Sequence, residues 1–100
     1  ILSDDLHNIN IEANNYANLE LDFRFNDIND PNQFYYRSDH FHFVKNNIPA
    51  IFYFSGTHED YHQPSDTAEK ILYEPYKKRV KLIFHTAWGL ANREERIKLK

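Results

Sequence analysis

The stretch IPAIFYFSG, Ile48 to Gly56, decides how the chain is read. Behind Pro49 stand Ala50-Ile51-Phe52-Tyr53-Phe54, a continuous apolar, β-branched and aromatic run that ends at Ser55-Gly56. A short apolar run bounded by turn residues is the pattern of a strand buried on both faces, in a sheet covered by helices. Upstream, Leu19-Glu20-Leu21-Asp22-Phe23 alternates with period two and predicts a second strand with one buried face.

Helical signals flank both runs. Ser3-Asp4-Asp5 offers a capping side chain and acids for the positive end of a helix dipole, and Leu6, Ile9, Ala13 and Tyr16 follow at helical spacing. Ser38-Asp39 repeats the capping signature before a short helix with Phe41, Val44 and Ile48 on one face. Asn47 suits the left-handed residue that ends such a helix, and Pro49 forbids its continuation. Asn26 to Asn32, with Pro31, reads as a loop. Glu74-Pro75 opens the last helix, whose stripe Tyr76, Val80, Ile83, Ala87 and Leu90 predicts the buried face. The charged tail from Glu94 to Lys100 is expected to be solvated or frayed.

Helices alternating with strands predict the α/β class. A sheet of two strands is a poor core by itself. The chain also opens at Ile1 and contains no methionine, so its 100 residues are expected to be part of one domain of a longer product.

Composition narrows the function. An apolar fraction of 41% with 16% aromatic residues argues against global disorder. A net charge of −3, with no basic run longer than Lys77-Lys78-Arg79, lacks the footprint of a nucleic-acid partner. No apolar run approaches the roughly 20 residues of a membrane span. With no cysteine, thiolate ligands and thiol catalysis are excluded, and any metal must be held by nitrogen and oxygen.

Downstream of the apolar run lies HEDYHQPSDT, His58 to Thr67, which contains the H-E-x-x-H pattern of one class of zinc peptidases. That reading requires His58 and His62 on one helical face with Glu59 beside them. Gly56 before the pattern and Pro64 after it oppose a helix there, and a loop is expected instead.

The wider segment YYRSDHFHFVKNNIPAIFYFSGTHEDYHQPSDTAEKI, Tyr35 to Ile71, resembles the C-terminal part of the co-catalytic dinuclear zinc aminopeptidases of peptidase clan MH, which include bacterial secreted enzymes. The resemblance rests on S-D-H at Ser38-Asp39-His40, on N-I-P-A at Asn47 to Ala50, and on D-Y-H-x-P-x-D-T at Asp60 to Thr67. It implies an α/β fold, the C-terminal portion of a phosphorylase/hydrolase-like three-layer sandwich with a mixed sheet flanked by helices. It further implies that His62 is a zinc ligand, and that Tyr61 or Tyr35 contacts the substrate carbonyl. Asp66 either orients His62 or caps a helix starting near Thr67, while Ser38 and Asp39 cap the short helix and support the site.

The implied activity is amide hydrolysis at a peptide's free N-terminus, with two zinc ions and a glutamate base. The other ligands and that glutamate are expected upstream, since residues 1–33 show no H-x-D arrangement followed by a Glu-Glu pair. At most one ligand belongs to this chain, which alone is expected to be inactive. The expected partners are a peptide substrate and the missing N-terminal half of the domain; without that half, self-association of the exposed edge is expected. No nucleic-acid partner is expected. The resemblance also implies a bacterial, extracytoplasmic setting, periplasmic or secreted. An alternative from another class is a non-catalytic binding or remnant domain of the same fold.

Overall fold

Helix formation begins where the capping signal places it. The computed structural model describes residues 3–27, 29–31 and 37–100. The first helix, α1, spans Asp4–Ala13. Ser3 is its N-cap in an extended conformation, with the hydroxyl accepting from the Leu6 N–H at 3.3 Å, and Asp4 and Asp5 lie in the first turn. A single 3₁₀ turn, Asn14–Tyr16, continues it.

The short helix α2 spans His40–Lys45. Its end is a Schellman motif: Asn47 adopts φ 63°, the Ile48 N–H donates to the Phe43 carbonyl at 3.0 Å, and the Asn47 N–H donates to the Val44 carbonyl at 2.9 Å. The expected stop is therefore built as the asparagine and proline indicate. The expected start is not: Asp39 occupies the N-cap position but its side chain makes no capping hydrogen bond. Its own backbone is already helical, at φ −60° and ψ −28°, rather than in the extended conformation a capping side chain needs.

The long helix α3 spans Tyr73–Ala91, with Glu74 in its first turn. It runs antiparallel to α1, Asp5 lying beside Arg93, Asn10 beside Thr86 and Ala13 beside Leu82. At the crossing, a Cβ on Gly89 would fall 3.2 Å from Ile9 Cγ2, so the absence of a side chain lets the two helices approach. Leu6, Ala13, Ala17 and Leu82 are buried, and Leu19, Leu21 and Tyr53 pack against the cluster of Ala13, Ala17 and Leu82.

The α/β expectation is wrong for this chain. Among the described residues no β-strand forms, and the regular structure is helical. Residues 49–54 are irregular, with Ile51 and Phe52 exposed, and residues 19–23 likewise join no ladder. An apolar or alternating run states which side chains fit a pleated, packed surface. It becomes a strand only when a neighbour takes up its backbone groups. In place of a strand partner, the Asn14 side-chain amide serves Leu19 on both counts. Its Nδ2 donates to the Leu19 carbonyl at 2.7 Å, and its Oδ1 accepts from the Leu19 N–H at 2.9 Å. The expected buried stripe of α3 is corrected as well: Tyr76, Val80 and Ile83 are exposed, and the face turned to α1 carries Leu82 and Thr86.

The tail from residue 94 to 100 is largely exposed, as expected of a solvated segment, but it is pinned rather than frayed. Ser3 Oγ donates to the Lys98 carbonyl at 2.6 Å, and the Lys98 N–H donates to Asp5 Oδ2 at 3.0 Å. Arg93 also pairs with Asp5 at 3.4 Å.

One polar junction joins the middle of the chain to the helix pair. Tyr53 Oη lies 2.6 Å from Asn10 Oδ1 and 3.0 Å from Thr86 Oγ1, and Thr86 Oγ1 lies 2.8 Å from the Leu82 carbonyl. Each hydroxyl has one proton to give, so Tyr53 donates to Asn10 while Thr86 donates back to its own helix. Burial raises the Tyr53 phenol above its ordinary value, against a smaller lowering by the bond with Thr86.

A folded-state value above the unfolded one gives stability that is whole below about pH 10 and is lost as pH rises through the folded value. Tyr53→Phe is therefore expected to cost about 1 kcal/mol at neutral pH and to flatten the alkaline decline, as read from urea unfolding across a pH series.

Candidate functional site

The chain leaves the helix-packed segment at Ser55-Gly56. Gly56 has φ 95°, and an added Cβ there would meet nothing within 4 Å, so the glycine serves backbone conformation and not space. Between His58 and Asp66, ahead of the 3₁₀ turn Ala68–Lys70, the backbone folds as consecutive turns. The Tyr61 N–H donates to the His58 carbonyl at 3.0 Å, Gln63 N–H to the Asp60 carbonyl at 2.9 Å, and Asp66 N–H to the Gln63 carbonyl at 3.1 Å.

His58 and His62 do not share a helix, so the H-E-x-x-H pattern is not the metal-binding helix its spacing resembles. The His58 ring faces its own loop, its Nδ1 accepting from the Asp60 N–H at 3.2 Å. His62 is exposed and carries φ 56°. For a residue with a side chain that conformation costs on the order of 1–2 kcal/mol, and it persists only where surrounding bonds impose it. The Tyr61 ring stacks on the His62 ring, centroids 4.0 Å apart and 18° from parallel.

Asp60 organises this loop. Its Oδ1 accepts from Ser65 Oγ at 2.6 Å and from Lys70 Nζ at 3.0 Å. The Ser65 hydroxyl and then the Lys70 ammonium hold its carboxyl below the usual carboxylate range, against an upward effect of burial, with His58 adding the smallest lowering. Sequence reasoning passed over Asp60, Ser65 and Lys70 as partners, because a carboxylate held from five and ten residues further on leaves no periodic signature.

Of the other expected site residues, Asp66 is exposed and makes no hydrogen bond to His62 among the described residues; nor does a side chain cap the 3₁₀ turn that begins beyond Thr67. Ser38 and Asp39 lie at the head of α2, where their carbonyls accept from the Phe41 and His42 N–H groups. His40 of the same motif stacks on Phe52 at 5.1 Å, and burial holds its imidazole below the ordinary value. Tyr35 lies outside the described residues. A cleft of ≈ 330 Å³ lies between α1 and α3, lined by Glu12, Tyr16, His85 and Trp88 among others, and none of the expected site residues borders it.

Among models of known families, that of Peptidase family M28 matches residues 4–87. The chain belongs to Peptidase family M28. No curated protein and no solved structure matches it. M28 is the family of co-catalytic zinc aminopeptidases in clan MH, which makes this a chain of a zinc-dependent peptidase family. Its described residues do not by themselves fit the metal: no group of three or more His, Asp or Glu side chains converges among them, whereas a zinc site draws on about three or four protein ligands. Nor is any described helix long and apolar enough to cross a membrane.

A depressed carboxylate gives ordering that is present above the unfolded pKa and lost as pH falls through the folded one. The Asp60 side-chain carbon, followed by NMR, is expected to titrate below the ordinary aspartate value of about 3.9, and Lys70→Met to move that midpoint upward. An Asp60 midpoint at or above the ordinary value would contradict the arrangement.

Proposed function

We propose that this chain is the C-terminal part of an M28 aminopeptidase, to which it contributes His62 as a zinc ligand and Tyr61 as a substrate contact. The observation carrying this reading is the position of His62, exposed in a loop inside the family-matched region and left-handed as the third residue of the turn that Gln63 N–H closes onto the Asp60 carbonyl. A residue kept in a costly conformation at the surface favours a role for its side chain outside the fold's own packing.

A neutral imidazole is a common zinc ligand. The phenol of Tyr61, on the ring stacked against it, is suited to donate a hydrogen bond to the oxyanion that forms when a peptide carbonyl is attacked. The remaining ligands and the glutamate base come, in this reading, from sequence upstream. No step of hydrolysis is assigned to the 100 residues alone. Exposed apolar side chains support the same reading: Ile48, Ile51 and Phe52, and along α3 Tyr73, Tyr76, Val80 and Ile83, are all exposed, as residues of an interaction surface are. Its partner is the upstream half of the domain, and in that half's absence the surface favours self-association. The substrate is a peptide with a free N-terminus, in keeping with the aminopeptidases of the family.

The test compares two polypeptides on an aminoacyl-anilide substrate with added zinc. The 100-residue chain is expected to be inactive. The longer gene product is expected to be active, and His62→Ala to lower its kcat/KM by at least 100-fold, about 2.7 kcal/mol at 1.36 kcal/mol per decade. Full activity after His62→Ala would remove the ligand assignment. An inactive, zinc-free longer product would favour a non-catalytic domain.

A further inference from the structure

The loop that bears His62 is built on backbone turns, and the bond from the Gln63 N–H to the Asp60 carbonyl at 2.9 Å closes the turn in which His62 stands third. Residues 55–66 are exposed apart from Asp60, and the loop forms no regular element until Ala68. The rings of Tyr61 and His62 stack on one another, but both residues are exposed, so their contact cannot anchor the loop to the helices. Beyond those turns, the side-chain bonds that close the loop from Ser65 and Lys70 converge on one carboxylate oxygen. Asp60 Oδ1 takes a hydrogen bond from Ser65, past the Gln63-Pro64 turn, and a charge-assisted one from Lys70 at its far end. His62 lies inside the span closed by the first of these bonds.

We infer that Asp60 is a positioning residue for His62: by tying Ser65 and Lys70 to one oxygen atom, it holds the turn that keeps His62 left-handed and its imidazole presented at the surface. The metal-ligand role of His62 rests on the function proposed above. The conformational role of Asp60 does not. Two observations support it: the backbone turn from Asp60 to Gln63 sets the left-handed φ of His62, and the oxygen shared by Ser65 and Lys70 braces that turn from outside. Lys70 in turn begins the connection into α3, where the Tyr73 hydroxyl donates to the Ala68 carbonyl at 3.5 Å. Asp60 thereby references the position of His62 to the long helix. Removing the carboxylate frees the loop without touching the buried cluster of Ala13, Ala17 and Leu82.

The test uses the full 100-residue chain, with zinc sulfate as probe. NMR reads the backbone N–H to Hα coupling of His62, which reports its φ, and the zinc-dependent shift of its ring protons; far-UV circular dichroism reads the helices. Asp60→Ala is expected to move the His62 coupling away from its left-handed value and to raise the zinc concentration at half-shift by about tenfold, the usual cost of losing a residue that orients a ligand. The helix signal stays unchanged, and Lys70→Arg keeps both wild-type readings. If Asp60→Ala fails to fold, Lys70→Met, at a half-exposed position, is expected to move both readings in the same direction. An unmoved coupling and an unmoved zinc midpoint in a folded variant overturn the inference. A wild-type His62 ring that ignores zinc removes the ligand role alone, and the metal-free coupling then decides the role of Asp60.

Discussion

The hydroxyl of Tyr53 is the point on which the arrangement of this chain turns. Both long helices reach it, α1 through Asn10 and α3 through Thr86, and the segment that carries it leads directly into the loop bearing His62. Without a ladder of backbone bonds, residues 49–54 depend on side chains for their place: Tyr53 at this junction, and Phe52 stacked on His40 of α2. The junction is polar in a core short of apolar mass. Among the described residues, Ser3, Asn10, Asp30 and Thr86 are buried alongside four buried hydrophobic residues, and no side chain is completely enclosed. A buried hydroxyl or amide costs free energy unless bonded, so these groups fix one arrangement more sharply than interchangeable aliphatic contacts do.

The helix pair is also offset. α1 covers the part of α3 from Leu82 to Gly89, while every residue from 71 to 81 is exposed. A radius of gyration of 14.9 Å, against about 13 Å for a compact domain of this length, agrees with a chain that has not enclosed its own apolar surface. The region matched by Peptidase family M28 takes in both the loop and these bare faces.

What the sequence disclosed was local. Ser3 with Asp4 and Asp5, Asn47 before Pro49, and Glu74 with Pro75 act within a turn of the elements they start or stop, and each of those ends lies close to where its residues indicate. The loop at Gly56 to Pro64 was legible for the same reason. Pairings over distance were not. Tyr53 meets Asn10 across 43 residues, and Ser3 meets Lys98 across 95. The apolar run at Ala50 to Phe54 carries strand chemistry, but propensity cannot supply the neighbouring strand that its backbone groups require. The face of α3 was misjudged because its aliphatic and aromatic side chains cover more than one side, and the contact with α1 is made by a leucine, a threonine and a glycine. For the candidate site, the D-Y-H motif pointed to His62, while the bonds of Asp60 to Ser65 and Lys70, five and ten residues further on, left no signature in it.

Residue-resolved amide hydrogen exchange on the 100-residue chain tests the central structural claim most directly. The helical N–H groups of α3 from Leu82 to Trp88 and those of α1 around Asn10 should exchange slowest, with the N–H groups of residues 50–54 exchanging orders of magnitude faster, as expected for a segment held by side chains. Slow exchange at alternate residues between 50 and 54, matched by a second protected segment, would mean that a β-ladder forms and would contradict the tethering of this segment through Tyr53.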